Sequence, residues 1–421
     1  MAIPQDAPQP PDLSGMKVLL VCIYYPPEVS GIAPYAAAMA QAALEAGASV
    51  HVVTGVPHFP GRRAWPEYRR GFRWDETIDG VRVSRRRHSV SRRSGLVGRL
   101  MQELTFGMHA LPTIARSQAD VIIAITPVAS SLASAVAGRR GRPIGGVVQD
   151  LIGNAASQSG TTNSKLGGII GRAEYWLLRR ADLLGVITPR FGEIAVEHGV
   201  SKDTVRDLPN FSHVVPSVAT RYDARDALGW PKDRYLVVHT GNIGKKQGLE
   251  VIPPAARLLE RGGSDVEFVL VGDGNQREAV EATAAGCRNV RFVGLLTDDQ
   301  YPLALRAADL LLLCEKPGVR EMSLPSKLTS YVTSGRPLLA AVETGGITAT
   351  YVSNHKIASV VTPGEPAALV SGIETLRSDV AQCSELVASA ARLAASLQPS
   401  AASRRYVSFI RELTQSSAKH T

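Results

Sequence analysis

The chain has 421 residues, 44% of them apolar and 20% charged, and a formal net charge of +9. At about 100–200 residues per domain, this length points to two or three domains with ample material for buried cores. Nothing approaches about 18 consecutive apolar residues, which argues against a membrane-spanning helix. The four cysteines (Cys22, Cys287, Cys314, Cys383) form no C-x-x-C pair, so reduced thiols in a cytoplasmic protein are expected, without a disulfide framework or metal chemistry.

Residues 1–15 are rich in Pro and Gln and lack an apolar signal core, so a disordered lead-in is expected, with the fold starting near Met16. Short apolar runs at 18–23, 49–54, 121–125, 144–148 and 183–187 read as strands, with an Ala-rich helix over 35–46. Continuous apolar runs separated by helices mark parallel strands covered on both faces, and right-handed crossovers then give a doubly wound sheet. Residues 62–99 hold twelve arginines against four acidic residues. Three readings of that run stand side by side. Anionic lipid headgroups would be attracted by about 1 kcal/mol per basic residue near the surface. Nucleic acid would need a motif such as a helix-turn-helix or zinc finger, and none accompanies the arginines. The third reading is a solvated loop.

The pattern restarts after Asp207-Leu208-Pro209-Asn210-Phe211 and a polar connector. Strands are expected at 235–240, 267–271, 290–293, 310–314, 337–341 and 358–361, and amphipathic helices over 365–397 and 402–414. The expected fold class is α/β, with two facing Rossmann-like doubly wound domains over 16–215 and 216–397, and a last helix within 398–421 crossing back to the first. Ligands bind beyond the carboxyl ends of strands in open α/β sheets, so the site is expected in the cleft between the domains.

Loops that follow strands therefore carry the chemistry. After the first strand, Ser30-Gly31 precedes a helix, where backbone N–H groups can meet an anion; a structural turn is the alternative. After the first strand of the second half comes Gly241-Asn242-Ile243-Gly244-Lys245-Lys246-Gln247-Gly248. Its glycines allow close backbone approach and its lysines stand where a diphosphate could lie, although the P-loop order is absent. Gly272-Asp273-Gly274 lacks the third glycine of a dinucleotide fingerprint and reads as a tight turn. Around Leu324-Pro325-Ser326-Lys327, Pro325 suits a first helical turn, placing Ser326 and Lys327 at its positive end. No D-x-D triplet and no His/Asp/Glu cluster with metal spacing occurs, so lysines would have to stabilise a departing diphosphate without a metal.

In this order and spacing, Tyr25-Pro-Pro-Glu-Val-Ser-Gly31, Gln149-Asp150, Leu208-Pro-Asn210, the 241–250 loop, Val271-Gly-Asp-Gly274 and Leu324-Pro-Ser-Lys327 resemble the family-4 retaining glycosyltransferases. The likeness is greatest to the WcaI-like branch that builds bacterial exopolysaccharide, capsule and O-antigen, and it covers essentially the whole folded chain. It implies the GT-B fold and a nucleotide diphosphate sugar as donor, with no cofactor. The implied acceptor is a lipid-linked or oligosaccharide glycan, met at the inner face of an anionic plasma membrane, with no nucleic acid partner. By this resemblance Lys246, Lys327, Asp150 and Glu321 are the catalytic candidates. Gly31, Gly241, Asn242, Gly244, Lys245, Gly294, Leu296, Ser326 and Ser330 would hold the donor, and Gln149, Asn154 and Asn210 would face the acceptor. The family's Glu-x7-Glu pattern falls on Met322, with Glu321 one place earlier, and on Ser330, where relatives carry a ribose-binding acid. The alternative reading is a degenerate GT-B protein acting as a scaffold.

Overall fold

A computed structural model describes residues 12–28, 31–59, 61–90, 96–126, 128–151, 164–320 and 324–417. The chain divides into two compact units, one running to Phe211 and resuming at Pro399, the other spanning Ser212–Gln398.

The first unit holds β1 (Lys17–Val21), α1 (Ala33–Glu45), β2 (Ser49–Gly55), β3 (Arg73–Ile78), β4 (Val81–Arg86), α2 (Leu96–Arg116), β5 (Val121–Ile125), α3 (Val128–Gly138), β6 (Ile144–Val148), α4 (Ser164–Leu178), β7 (Leu183–Val186), α5 (Pro189–Glu197) and β8 (Val205–Asp207). They form one sheet of order β3-β4-β2-β1-β5-β6-β7-β8. The pairing is parallel except for β3 with β4, which form an antiparallel hairpin. Its turn is Asp79-Gly80, both with positive φ, as a two-residue hairpin turn requires. The hairpin corrects the loop reading of the arginine run. Arg85 is fully buried, bonded to Glu76 and to the Gly55 and Pro26 carbonyls, while Arg86 is buried beside Asp75 and Thr113. These two arginines lock β4 to its neighbours and offer nothing to a surface ligand.

The second unit holds α6 (Arg221–Leu228), β9 (Tyr235–Thr240), α7 (Ile252–Arg261), β10 (Val266–Val271), α8 (Arg277–Thr283), β11 (Val290–Val293), α9 (Gln300–Ala307), β12 (Leu310–Cys314), α10 (Lys327–Thr333), β13 (Leu338–Ala341), α11 (Ile347–Asn354), β14 (Ser359–Val361), α12 (Pro366–Ser378) and α13 (Val380–Ser396). All six strands run parallel in the order β11-β10-β9-β12-β13-β14. Every residue of β10 and β12 is buried, which explains the apolar run of β12, while the one acid in β10, Glu267, is paired with Arg291 at 2.8 Å. The single helix expected over 365–397 is broken at Asp379, whose carboxylate accepts the Gln382 N–H and so starts α13 afresh.

The last helix, α14 (Pro399–Ser417), packs on the first unit. Tyr406, Phe409, Ile410 and Leu413 are buried in the same core as β1 and β5. It accounts for Gly145 in β6, where a Cβ would stand 2.7 Å from the Phe409 ring, while one on Gly146 would stand 3.1 Å from Leu184. At the other end of the chain, Leu13 is wholly buried and donates its N–H to the Ala46 carbonyl at 2.8 Å. Ordered structure therefore begins before Met16. The rest of the expected lead-in, residues 1–11, lies outside the described residues.

Candidate active site

In each sheet the strand order reverses once, and ligands bind beyond the strand ends at such a point. The reversal lies between β9 and β12 in the second unit and between β1 and β5 in the first.

In the second unit, the loops after β9 and β10 are laced together. Gly241 and Ile243 donate to the Val271 and Asp273 carbonyls, both at 2.8 Å, and Gln276 returns a bond to Ile243. A Cβ on Gly272 would lie 2.0 Å from the Gly241 carbonyl oxygen, and one on Gly274 2.3 Å from that of Ile243. Gly272-Asp273-Gly274 is therefore a backbone packing motif. Lys327, the first residue of α10, sends its ammonium back over this platform. Its Nζ lies 3.0 Å from His239 Nε2 and 3.4 Å from the place a Cβ would occupy on Gly241. Gly241 itself has φ +102°, a conformation side chains rarely adopt. His239 is fully buried and directs Nδ1 at the Leu312 carbonyl, 3.1 Å away. Burial and the Lys327 charge hold the imidazole far below its ordinary pKa. It is thus a neutral ring that donates through Nδ1 and accepts through Nε2. Burial of the ammonium end brings Lys327 down to about 7.

Behind Lys327, Glu315 is buried and accepts from the Thr348 hydroxyl at 2.8 Å. Burial pushes its carboxyl up to about 7, against the pull of Thr348, Lys327 and Lys246. Lys246 and Lys245 are exposed on the loop, and the Lys246 carbonyl accepts the Lys316 N–H at 2.8 Å, tying this loop to the one after β12. Asn242 is exposed, with Nδ2 3.3 Å from Gln247 Oε1, and Gly244 is buried beneath the two side chains. Ser326 is exposed beside Lys327. Because α10 is only seven residues long, the Lys327 charge outweighs any dipole. Ser330 lies on the buried face of α10, bonded to the Lys327 carbonyl at 2.8 Å and to Tyr301 at 3.2 Å. At the rim, Gly294 is open and Leu296 packs against the core, while Leu295 between them is 80% exposed. Glu321 lies outside the described residues.

In the first unit, the amides of Gln149 and Asn210 bond reciprocally at 3.0 and 2.8 Å, and the Gln149 N–H reaches the Thr126 hydroxyl. Asp150 stands 3.6 Å from Arg99, which also meets Glu103 at 3.3 Å. Gly31 is exposed just before α1, and Asn154 lies outside the described residues. Sequence reasoning missed the cluster beside them. Glu28 is buried, accepts the Phe59 N–H at 2.9 Å, and faces His58 at 3.5 Å. Burial raises its carboxyl above the usual range, and the His58 ring opposes that. Gln102 bonds His58 at 3.1 Å. The Pro26-Pro27-Glu28 turn carried the signal, but no spacing in the sequence pairs Glu28 with His58. Among the described residues, no group of three or more His, Cys, Asp or Glu side chains could hold a metal ion, and no helix is long and apolar enough to cross a membrane.

Two Rossmann-like units, with a lysine-bearing glycine loop at the switch point of the second, make up a GT-B architecture. A glycosyl transferase 4-like domain matches residues 30–210, and a glycosyl transferases group 1 domain matches 234–379. The colanic acid biosynthesis glycosyl transferase WcaI of Escherichia coli K12 is 30% identical over 381 residues, 85% of this chain and 91% of that protein. The 2-deoxystreptamine glucosyltransferase of Streptomyces kanamyceticus is 29% identical over 51% of this chain and 56% of its own. Among solved structures, sucrose-phosphate synthase of Thermosynechococcus elongatus superposes with a TM-score of 0.71 at 18% identity, covering 94% of this chain and 99% of that one. HepE of Anabaena, in complex with UDP and glucose, gives 0.65 at 16% identity, over 94% and 100%. The chain belongs to the family-4 glycosyltransferases of GT-B fold, and it is a glycosyltransferase.

Proposed function

We propose that this enzyme transfers a sugar, with retention at the anomeric carbon and without a metal ion or other cofactor, from a nucleotide diphosphate sugar to a lipid-linked glycan in cell-surface polysaccharide biosynthesis. The observation that carries the donor half is the Lys327 ammonium held by His239 over Gly241, with Lys246 and Lys245 on the same loop. Cations fixed beside a close-approach backbone can take up the negative charge that grows on a departing diphosphate, which is the work a metal does elsewhere. In the retaining reaction, the acceptor hydroxyl attacks from the face the diphosphate leaves, and a diphosphate oxygen receives its proton. The chain then contributes positioning and charge rather than a dedicated base. On the acceptor half, Asp150, Arg99 and the Gln149–Asn210 pair offer polar groups suited to a sugar. The WcaI likeness and the outward apolar residues Met101, Leu104 and Met108 of α2 support a lipid-borne acceptor met at an anionic membrane from the cytoplasmic side.

The test is transfer in the presence of EDTA, with the product's anomeric configuration read by NMR. Lys246→Ala and Lys327→Ala should each reduce turnover by more than about tenfold, the scale of losing one electrostatic stabiliser. Full activity in both variants, an inverted product, or rescue only by added divalent metal would each refute the part of the mechanism it addresses. A wild-type chain that binds no nucleotide would favour the scaffold reading.

A further inference from the structure

The hairpin region of the first unit borders an open cavity of about 720 Å³ that none of the described donor or acceptor residues above lines. Four of its walls are arginines: Arg62, Arg63, Arg69 and Arg87. All four are exposed, and none forms an ion pair among the described residues. Arg69 is braced by the Ala64 carbonyl at 3.1 Å, and Arg87 by the Gly71 carbonyl at 3.1 Å and by the Phe72 ring beneath it. Among the described residues, no carboxylate lines the cavity. Four cations gathered without a counter-ion repel one another, and the arrangement is stabilised when an anion enters. Guanidinium forks match phosphate oxygens in pairs, which a scattered surface charge cannot do.

The surroundings of the cavity narrow the anion further. Thr105 and His109, on α2, form one wall, and the same helix turns Met101, Leu104 and Met108 outward at 48, 59 and 69% exposure. Phe72, at the edge of the cavity, is 68% exposed. A charged hollow beside an apolar stripe suits one amphiphile carrying phosphate at the head and hydrocarbon behind it. Buried Arg85 and Arg86 have no part in this, nor has Arg99, which is paired with Glu103 and Asp150, so the described part of the basic run divides into structural arginines and exposed ones.

We propose that this cavity binds the phosphate head of the lipid that bears the acceptor glycan, with Arg62, Arg63, Arg69 and Arg87 as its ligands and the outer face of α2 against the hydrocarbon. The inference rests on the lipid-linked acceptor proposed above and assigns the part of that acceptor no other group here recognises. The probe is phosphatidylcholine vesicles carrying either a polyprenyl diphosphate-linked sugar or phosphatidylglycerol, matched in surface potential, with binding followed by co-sedimentation. The full chain should prefer the vesicles with the diphosphate-linked sugar by about tenfold, as paired guanidinium–phosphate bonds require. Arg63→Gln/Arg87→Gln should abolish the preference, while Arg70→Gln/Arg73→Gln, an equal loss of charge outside the cavity, should preserve it.

Equal binding to both vesicle types, or equal losses in the two double variants, would overturn the site in favour of diffuse surface attraction. Leu104→Ser/Met108→Ser should weaken vesicle binding and leave calorimetric binding of inorganic pyrophosphate unchanged. Vesicle binding that survives that change would make free phosphate the occupant and overturn the lipid assignment. Nucleotide binding, carried by the second unit, should be unaltered in Arg63→Gln/Arg87→Gln, which also shows that the variant is folded. Failure of the wild-type chain to bind any nucleotide would count against the transferase mechanism alone and leave the vesicle result to be judged by itself.

Discussion

If Lys327 receives the donor diphosphate, binding must draw a proton from solution. In the free enzyme its ammonium has a pKa of about 7, so at about pH 8 only about one molecule in ten is protonated there. A phosphate charge placed about 4 Å away contributes about 4 kcal/mol at the effective dielectric of a partly exposed site, or about three pKa units. That lifts the bound ammonium to about 10 and makes it almost fully charged, an uptake of about 0.9 proton per nucleotide. Glu315, also near 7 and close to Lys327, meets two opposing changes, since the bound anion raises its carboxyl while the newly charged Lys327 lowers it. The assay is titration of UDP, GDP or ADP in buffers of different ionisation enthalpy at about pH 8, where the nucleotide has already lost its last proton. The slope of observed enthalpy against buffer enthalpy counts the protons directly. Affinity should also fall about tenfold per pH unit above 7.5. Lys327→Met should reduce both effects sharply. A wild-type slope near zero, with nucleotide bound, would show that the diphosphate does not meet this ammonium.

Two further outcomes concern the framework of the second unit. Glu315 holds its proton more tightly when folded than when unfolded, so ionising it weakens the fold progressively as pH rises from about 4.5 to 7. Glu315→Gln keeps an acceptor for Thr348 and should gain in melting temperature relative to the wild type between pH 5 and pH 8; parallel melting curves would contradict the shift. Asp309 is buried and receives Arg221, Arg225 and the Leu236 N–H, the last at 2.7 Å. Asp309→Asn should cost about 3–5 kcal/mol in urea unfolding, because Arg225 is left buried without its charge partner, and a loss below about 1 kcal/mol would show that solvent reaches the pair.

The two parallel sheets were legible because continuous apolar runs followed by glycine loops have few other solutions, and the Gly241–Gly248 loop stood out for the same reason. The arginine run was misread where a count of charges stood in for the local pattern. Asp79-Gly80 between two short β-rich runs was a hairpin signal, and it puts Arg85 on an inward register. Asp379 was likewise a legible cap inside what looked like one long amphipathic stretch. The His239–Lys327 pair was not legible, since it joins residues 88 positions apart through a crossover. The one hint was a histidine within the buried run of β9. Leu13 escaped notice because a lone leucine among prolines carries no periodicity, and its burial is decided by a core assembled from segments distant in the chain, α14 among them.

The lacing of the loop after β9 to the loop after β10 has a consequence for how such an enzyme diversifies. Neither Gly272 nor Gly274 leaves room for a single added carbon, so this floor tolerates almost no incremental change and offers no gradual path to a new shape. Under the donor site proposed above, whatever alters the sugar or base a descendant accepts would have to arise on the freer walls, such as the open turn at Gly294 and exposed Leu295. A rigid floor and permissive walls let one inherited scaffold serve enzymes that share a fold and little sequence.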